Sequence, residues 1–365
     1  MRRPRGFRPA MAIGGLVGLV LAANVARADE AIAVARVPKA ATLDEIRVLL
    51  RVSPPPAGLD LARQRRGDDF LRALGESREI AGVRVLRLAS NGLHAAGLAA
   101  FLTSPYLGGL EELDLADNDL DDGAMKALAA APLRALRLLR VRGNPVSPAG
   151  IRALLGAEWI AKIASLDLSG VRLGPEAPAI VRELAVHAAA LREIDLHDSS
   201  CENACVDALV VSPLCGRLKS LRLGYDAIDR RGASALAASR CFSSLESLAL
   251  LGASDVQTEG APRRFIDARG ARAIAASKHL RSLRELRLPL QAIGDAGAVA
   301  LAGARWPALE VLDLRQNDIT DRGALALAAA KFPPVLRSID LSGARVSVHT
   351  RKRLEERFGS ALVLP

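Results

Sequence analysis

Between residues 83 and 346 the chain returns ten times to one short phrase. The first five copies are "VRVLRLASNGL" at 83, "LEELDLADNDL" at 110, "LRLLRVRGNPV" at 136, "IASLDLSGVRL" at 163 and "LREIDLHDSSC" at 191. The next five are "LKSLRLGYDAI" at 218, "LESLALLGAS" at 245, "LRELRLPLQAI" at 283, "LEVLDLRQNDI" at 309 and "LRSIDLSGARV" at 336. Their starts lie 27, 26, 27, 28, 27, 27, 38, 26 and 27 residues apart. A fixed period of this length marks a stack of similar units, each contacting its neighbours. Within a unit the leucines first alternate, which places them on one side of a short strand. The second half, such as "GASALAASRCF" at 232 or "GALALAAAKFP" at 323, spaces Ala and Leu at helical intervals behind a glycine. Alanine favours helix and is small, so each helix can lie close to its strand. One unit holds too few aliphatic side chains to offset its own ordering entropy, so stability must come from stacking.

The phrase L-x-x-L-x-L-x-x-N-x-L, the 26–28-residue period and the G-A-x-A-L-A helix resemble the ribonuclease-inhibitor type of leucine-rich repeat, in the Ala-rich wording of bacterial members. The resemblance implies an α/β fold: a right-handed solenoid, or horseshoe, with parallel strands on the concave face and helices on the convex face. It implies a binding scaffold and no particular activity, because one fold hosts many functions. The Asn of the phrase, which in this family ties adjacent loops together, is present at Asn91, Asn118, Asn144 and Asn317. Val171, Ser199, Asp226, Ala253, Gln291 and Ala344 replace it elsewhere, so looser loops are expected in the middle units.

The flanks set the remaining domains. Residues 1–28 read as a signal peptide: a basic start carrying Arg2, Arg3, Arg5 and Arg8, the apolar "AMAIGGLVGLVLAANVA", and small residues at Ala26 and Ala28. The apolar stretch is short for a membrane span, which needs about 20 residues, so cleavage is expected over anchoring. An exported protein is expected, in the periplasm, cell envelope or extracellular space, with no membrane span after cleavage. Residues 29–82 read as an N-terminal helical cap, and 347–365 as a closing helix and tail. The net charge of +10 includes five arginines of residues 1–28, leaving 45 basic against 40 acidic residues. That balance, with 3% aromatic residues, argues against a nucleic-acid partner.

Chemistry-bearing side chains crowd only at "HDSSCENAC", His197 to Cys205. The repeat alignment puts Cys201 in the core slot of Ile228 and Ile319, and Cys205 in the helix-start slot of Gly232 and Gly323. His197 follows its strand and should face the inner surface. A metal site would need further ligands in suitable geometry. Cysteine catalysis would need a base and an oxyanion hole. Neither is suggested, and no zinc-protease, nucleophile-elbow or phosphate-loop motif occurs. No cofactor, metal or catalytic residue is expected. Structural cysteines are expected instead, paired 201–205 and 215–241, because Cys215 and Cys241 both end outer helices in successive units and should be near neighbours.

The variable residue between the last two leucines points out of the inner sheet. Down the array it reads Arg87, Asp114, Arg140, Asp167, Asp195, Arg222, Ala249, Arg287, Asp313 and Asp340. Strands about 4.8 Å apart would bring these opposite charges into contact as a self-neutralising ladder. The competing reading is a polar protein-binding face, formed by Arg87, Asp114, Arg140, Asp167, Asp195, Arg222, Arg287 and Asp313 together with His197 and Tyr225. An insertion at 254–264 lengthens one unit, and repeat insertions often serve recognition. Arg263 and Arg264 in it, with the following helix, form a basic patch suited to an acidic protein or an anionic envelope surface. A noncatalytic exported protein-binding module is the leading expectation. A self-associating envelope scaffold, and an enzyme or metal protein centred on His197–Cys205, are the alternatives.

Overall fold

The computed structural model describes residues 32–225, 228–252 and 265–364. The signal-peptide segment, the 254–264 insertion with Arg263 and Arg264, and the slots of Asp226 and Ala253 lie outside the described residues.

Alternating leucines produce strands. They are β1 (Val34–Arg36), β2 (Gly58–Asp60), β3 (Val85–Arg87), β4 (Glu112–Asp114), β5 (Leu138–Arg140) and β6 (Ser165–Asp167). They continue as β7 (Glu193–Asp195), β8 (Ser220–Gly224), β9 (Ser247–Leu251), β10 (Glu285–Arg287), β11 (Val311–Asp313), β12 (Ser338–Asp340) and β13 (Leu362–Val363). All thirteen pair in parallel and in sequence order, as one open sheet. The register stacks equivalent positions: Leu86 opposes Leu113, Leu139 opposes Leu166, and Ile194 opposes Leu221. These side chains and their neighbours two residues on are buried, giving one continuous aliphatic seam along the array.

Helices alternate with the strands: α1 (Leu43–Leu50), α2 (Gly67–Gly75), α3 (Ala95–Leu102), α4 (Asp122–Ala130), α5 (Pro148–Leu155) and α6 (Ala177–His187). The series continues with α7 (Asn203–Val211), α8 (Arg230–Ala238), α9 (Asp267–Ala276), α10 (Gly294–Ala302), α11 (Asp321–Ala329) and α12 (Val348–Phe358). Successive helices pack on one another, and their buried side chains join those of the strands in one core. The glycine near many helix starts makes room for a side chain of the preceding unit. A Cβ on Gly323 would come within 2.6 Å of Asp295 Oδ1. That carboxylate accepts from the N–H groups of Thr320 at 2.8 Å and Gly323 at 3.0 Å, and Thr320 Oγ1 donates to its other oxygen at 2.6 Å. Asp68, Asp122 and Asp321 accept in the same way from the N–H groups of His94, Ser147 and Ser347. Asn203 does so from Asp229. The outer edge therefore has its own polar tie between units.

Two departures concern the ends. The expected N-terminal helical cap contains β1 and β2, in register with the rest of the sheet. The sequence "GLDLARQ" is a shortened repeat, in which Leu59 and Leu61 are buried and Gln64 takes the Asn slot. Gln64 Nε2 donates to Val37 O at 2.6 Å. Gly58 stands where other units carry a larger residue because a Cβ would meet Val34 and Val85 at 2.9 Å. At the other end α12 is followed by β13, so the tail adds a last strand.

The inner ladder also differs from expectation. Asn118 Nδ2 donates to Leu88 O and Leu115 O, while its oxygen accepts from the N–H groups of Asn91 and Leu93. Gln291 was expected to weaken its loop, yet it works as the Asn does. Its Oε1 accepts from Ile266 N–H at 3.0 Å and its Nε2 donates to Leu250 O at 3.0 Å. One extra methylene still lets the amide reach across the turn. At Val171 the slot is simply apolar and buried, and Ser199 retains a single bond, to Leu196 O.

Candidate functional site

Strand alternation turns the second residue of each phrase-ending pair toward the inner surface, but the charges do not pair along a single row. Arg87 bonds Glu112 at 2.9 Å, and Arg140 bonds the same carboxylate at 2.8 Å while standing 3.8 Å from Asp114. Glu112 lies two residues before Asp114 on the same strand face, so the ladder is a mesh of two rows. Sequence reasoning missed Glu112, although the i−2 position carries the signal. Burial raises the Glu112 pKa but its two arginines prevail, and its carboxyl titrates below the usual range. Asp114 accepts from Ala116 N–H at 3.0 Å, yet burial pushes its carboxyl up.

That backbone bond reveals what the row's aspartates do. Asp167, Asp195, Asp313 and Asp340 likewise accept from the N–H two residues on, at Ser169, His197, Arg315 and Ser342. They cap the turn that leaves the strand. Asp313 is only 2% exposed and pairs with Arg315 at 3.3 Å, so it offers no open surface. Its carboxyl is also pushed up by burial. Arg287 turns to Glu285 on its own strand at 3.5 Å. Ala249 is buried.

The mesh lapses between β6 and β8. Asp167 and Asp195 sit side by side in register with no arginine between them. Asp167 is occupied by Ser169, whose N–H and hydroxyl both donate to it. Asp195 holds His197 Nδ1 at 2.7 Å and Arg222 Nε at 3.4 Å. That hydrogen bond raises the His197 pKa; desolvation works against it, Asp167 adds to it and Arg222 opposes it. Tyr225 closes the cluster, its ring centroid 5.9 Å from that of His197. It is 44% exposed, and its backbone is left-handed at φ +55°. The structure thus brings Asp167, Asp195, His197, Arg222 and Tyr225 together, and sets Arg87, Asp114 and Arg140 in the separate mesh around Glu112.

"HDSSCENAC" disperses over several locations. His197 faces the inner surface, Ser199 occupies the buried ladder slot, Cys201 enters the core and Cys205 starts α7. The structure pairs Cys201 with Cys205 and Cys215 with Cys241. Among the described residues, no three His, Cys, Asp or Glu side chains gather as a metal site. The basic patch also divides. Arg269 and Arg272 are exposed on α9, whereas Arg284 pairs with Glu310 and Glu246.

Among the described residues no helix is long and apolar enough to cross a membrane. A family model described as Leucine Rich repeat matches residues 110–129 and 307–328. A search of curated sequences returns no match. Among solved structures, the yeast Rad7–Elc1 complex contains a chain similar to this one, with TM-score 0.50, 16% identity, and 84% of this chain and 78% of that one covered. An internalin from Listeria monocytogenes aligns with TM-score 0.39 and 14% identity over 79% and 81% of the two chains. The repeated phrase, the single parallel sheet and the Rad7–Elc1 neighbour agree on the fold: the chain contains leucine-rich repeats and folds as an open leucine-rich-repeat solenoid.

Proposed function

We propose that the protein is a noncatalytic, exported protein-binding module that grips its partner with the inner sheet at β6–β8. The observation that carries this reading is Tyr225. Among the described residues it is the one aromatic side chain with large exposure; its left-handed backbone belongs to the repeat, being shared by Ser90, Asp117, Asp198, Leu290 and Gln316 in the same slot. An exposed ring beside His197 and the adjacent Asp167 and Asp195 suits a contact residue, because tyrosines often dominate binding energy. Adjacent acids recur at Asp313 and Asp340; what sets this stretch apart is the exposed Tyr225 ring set against His197. The solenoid known from the Rad7–Elc1 complex supports a scaffold role through its fold alone.

Export draws support from the segment 1–28 and from two disulfides, which persist in oxidising compartments. An anionic envelope surface meeting the 254–264 insertion is a second contact to be tested by deleting the insertion. Crosslinking in the native cell envelope, followed by capture with wild type and with Tyr225→Ala/Asp195→Lys, tests the main reading. Loss of the wild-type partner from a folded double variant supports it; an unchanged partner set refutes it.

A further inference from the structure

The edge of the solenoid where strands begin carries a second, unrelated feature. The loops after α9, α10 and α11 enclose a groove of about 960 Å³. Its floor and walls are mostly small or rigid residues, including Ala302, Ala329, Pro307 and Pro333. Three cations line it, Arg281, Arg305 and Lys331, and no carboxylate does. All three are exposed. Among the described residues none of them has a hydrogen-bond or ion-pair partner.

Trp306 lines the same groove and is 4% exposed. A buried indole N–H normally finds an acceptor. Trp159, in the corresponding loop after α5, donates to Leu128 O at 3.3 Å. Among the described residues the Trp306 N–H has no protein acceptor, and although most of the ring is buried this atom is not closed off: it opens to solvent at the groove. A smaller groove of about 430 Å³ beside Trp159 meets its own needs. Glu158 lines it together with Arg134 and Lys162, and Lys162 Nζ reaches Arg134 O at 3.5 Å.

Part of the positive charge offsets helix dipoles, since Arg305 and Lys331 follow the C-terminal ends of α10 and α11. Arg281 lies five residues beyond the end of α9, and helix dipoles do not account for it or for the unmade bond of Trp306. We propose that this groove binds an acidic, extended peptide segment of a partner protein. Partner carboxylates sit among Arg281, Arg305 and Lys331, and one partner oxygen accepts from Trp306 Nε1–H. A recess floored by alanines admits a narrow chain with small side chains between its acids. It presents a trough rather than a plane to a membrane, and a buried indole leaves no open ring on which a base could stack. The site is remote in sequence from Asp195 and Tyr225, and its test is independent of theirs.

The chain has two tryptophans, so Trp159→Phe leaves Trp306 as the sole tryptophan reporter under selective excitation. That protein is titrated with a twelve-residue Glu/Ala peptide, with the same peptide carrying Lys for Glu, with inorganic phosphate, and with vesicles of phosphatidylcholine and phosphatidylglycerol. The expected result is a saturable emission change with the Glu peptide, weakened by salt, and none with the Lys peptide. Arg305→Glu/Lys331→Glu should weaken binding at least tenfold, whereas Arg134→Glu/Lys162→Glu should leave it unchanged. Trp306→Phe, followed by calorimetry, should cost about tenfold, the worth of one hydrogen bond to a charged group. No saturation with the Glu peptide, an equal response to the Lys peptide, or an unchanged affinity in Arg305→Glu/Lys331→Glu overturns the proposal. So does saturation by phosphate or vesicles alone. The charge-reversed pair keeps the question decidable should Trp306→Phe fold poorly.

Discussion

The two flanks of the solenoid and its middle solve the same problem with different chemistry. From Gln64 through Asn144, and again at Gln291 and Asn317, a buried amide ties each turn to its neighbours. Between them Val171 offers no polar group and Ser199 one hydroxyl bond, and in this stretch both disulfides occur. The 201–205 bridge closes a short loop inside one unit, whereas 215–241 joins successive units. The middle also carries Asp195, His197 and Tyr225. A covalent tie leaves inner-surface positions there free to vary, because the unit-to-unit contact no longer depends on the local turn sequence.

Breaking the amide side of this comparison should cost most. Asn118→Ala leaves the N–H groups of Asn91 and Leu93 without partners in a buried site, while the carbonyls of Leu88 and Leu115 each lose one donor and keep another, from Asn91 and Asn144. A loss of about 3–5 kcal/mol is expected, from the unsatisfied buried donors and the bonds lost at the carbonyls. Urea unfolding checks it, with Ser199→Ala as the mild counterpart at about 1 kcal/mol. Near-equal effects of the two would erase the distinction between flank and middle.

The covalent side comes next. Cys215→Ala/Cys241→Ala opens a loop spanning 26 residues and should cost about 3 kcal/mol, against about 2 for opening the five-residue 201–205 loop. Hydrogen exchange should show the loss concentrated between α7 and β9, with the amide-tied units little changed. Reductant should reproduce the effect in the wild type and do nothing further to a variant lacking all four cysteines. A third, smaller test sits on the outer edge. Gly323→Ala drives a methyl against Asp295 and should cost about 2 kcal/mol by overpacking, partly recovered by adding Asp295→Ala.

These ties differ in how plainly the sequence announces them. Leucine spacing alone locates ten units, since alternation and period depend on nothing distant. The unit of β2 escapes it because Pro54, Pro55, Pro56 and Gly58 stand where the phrase should begin, although Leu59, Leu61 and Gln64 complete it. Gln291 looks like a defect until the reach of its amide is seen. Asp167 and Asp195 read as surface charges because periodicity gives the face of a residue but not its partner; their bonds to backbone N–H groups are invisible in one dimension. Trp306 gave no signal, since its distinction lies in a bond that Trp159 makes and it does not.

The smallest expected effect separates the two regions by pH. The Asp195 hydrogen bond raises the pKa of His197, so the protonated ring is favoured in the folded state. Its stabilisation is complete below the ordinary imidazole value of 6.5 and disappears as pH rises through the higher folded value. Asp295, in the flank, shows the opposite sign. Burial raises its pKa, but bonds from Thr320 and Gly323 outweigh that and hold the carboxyl low. Its contribution is present above the ordinary 3.8 and is lost as pH falls through the lower folded value. Histidine NMR titration should place His197 above the ordinary imidazole value of 6.5, and Asp195→Asn should bring it down, with a stability change near neutral pH of about 1 kcal/mol or less. Asp295→Asn should flatten the acid limb alone. If Asp195→Asn leaves the His197 titration where it was, the imidazole is not tied to the strand, and the middle of the inner sheet loses the one charge that distinguishes it from the self-paired mesh around Glu112.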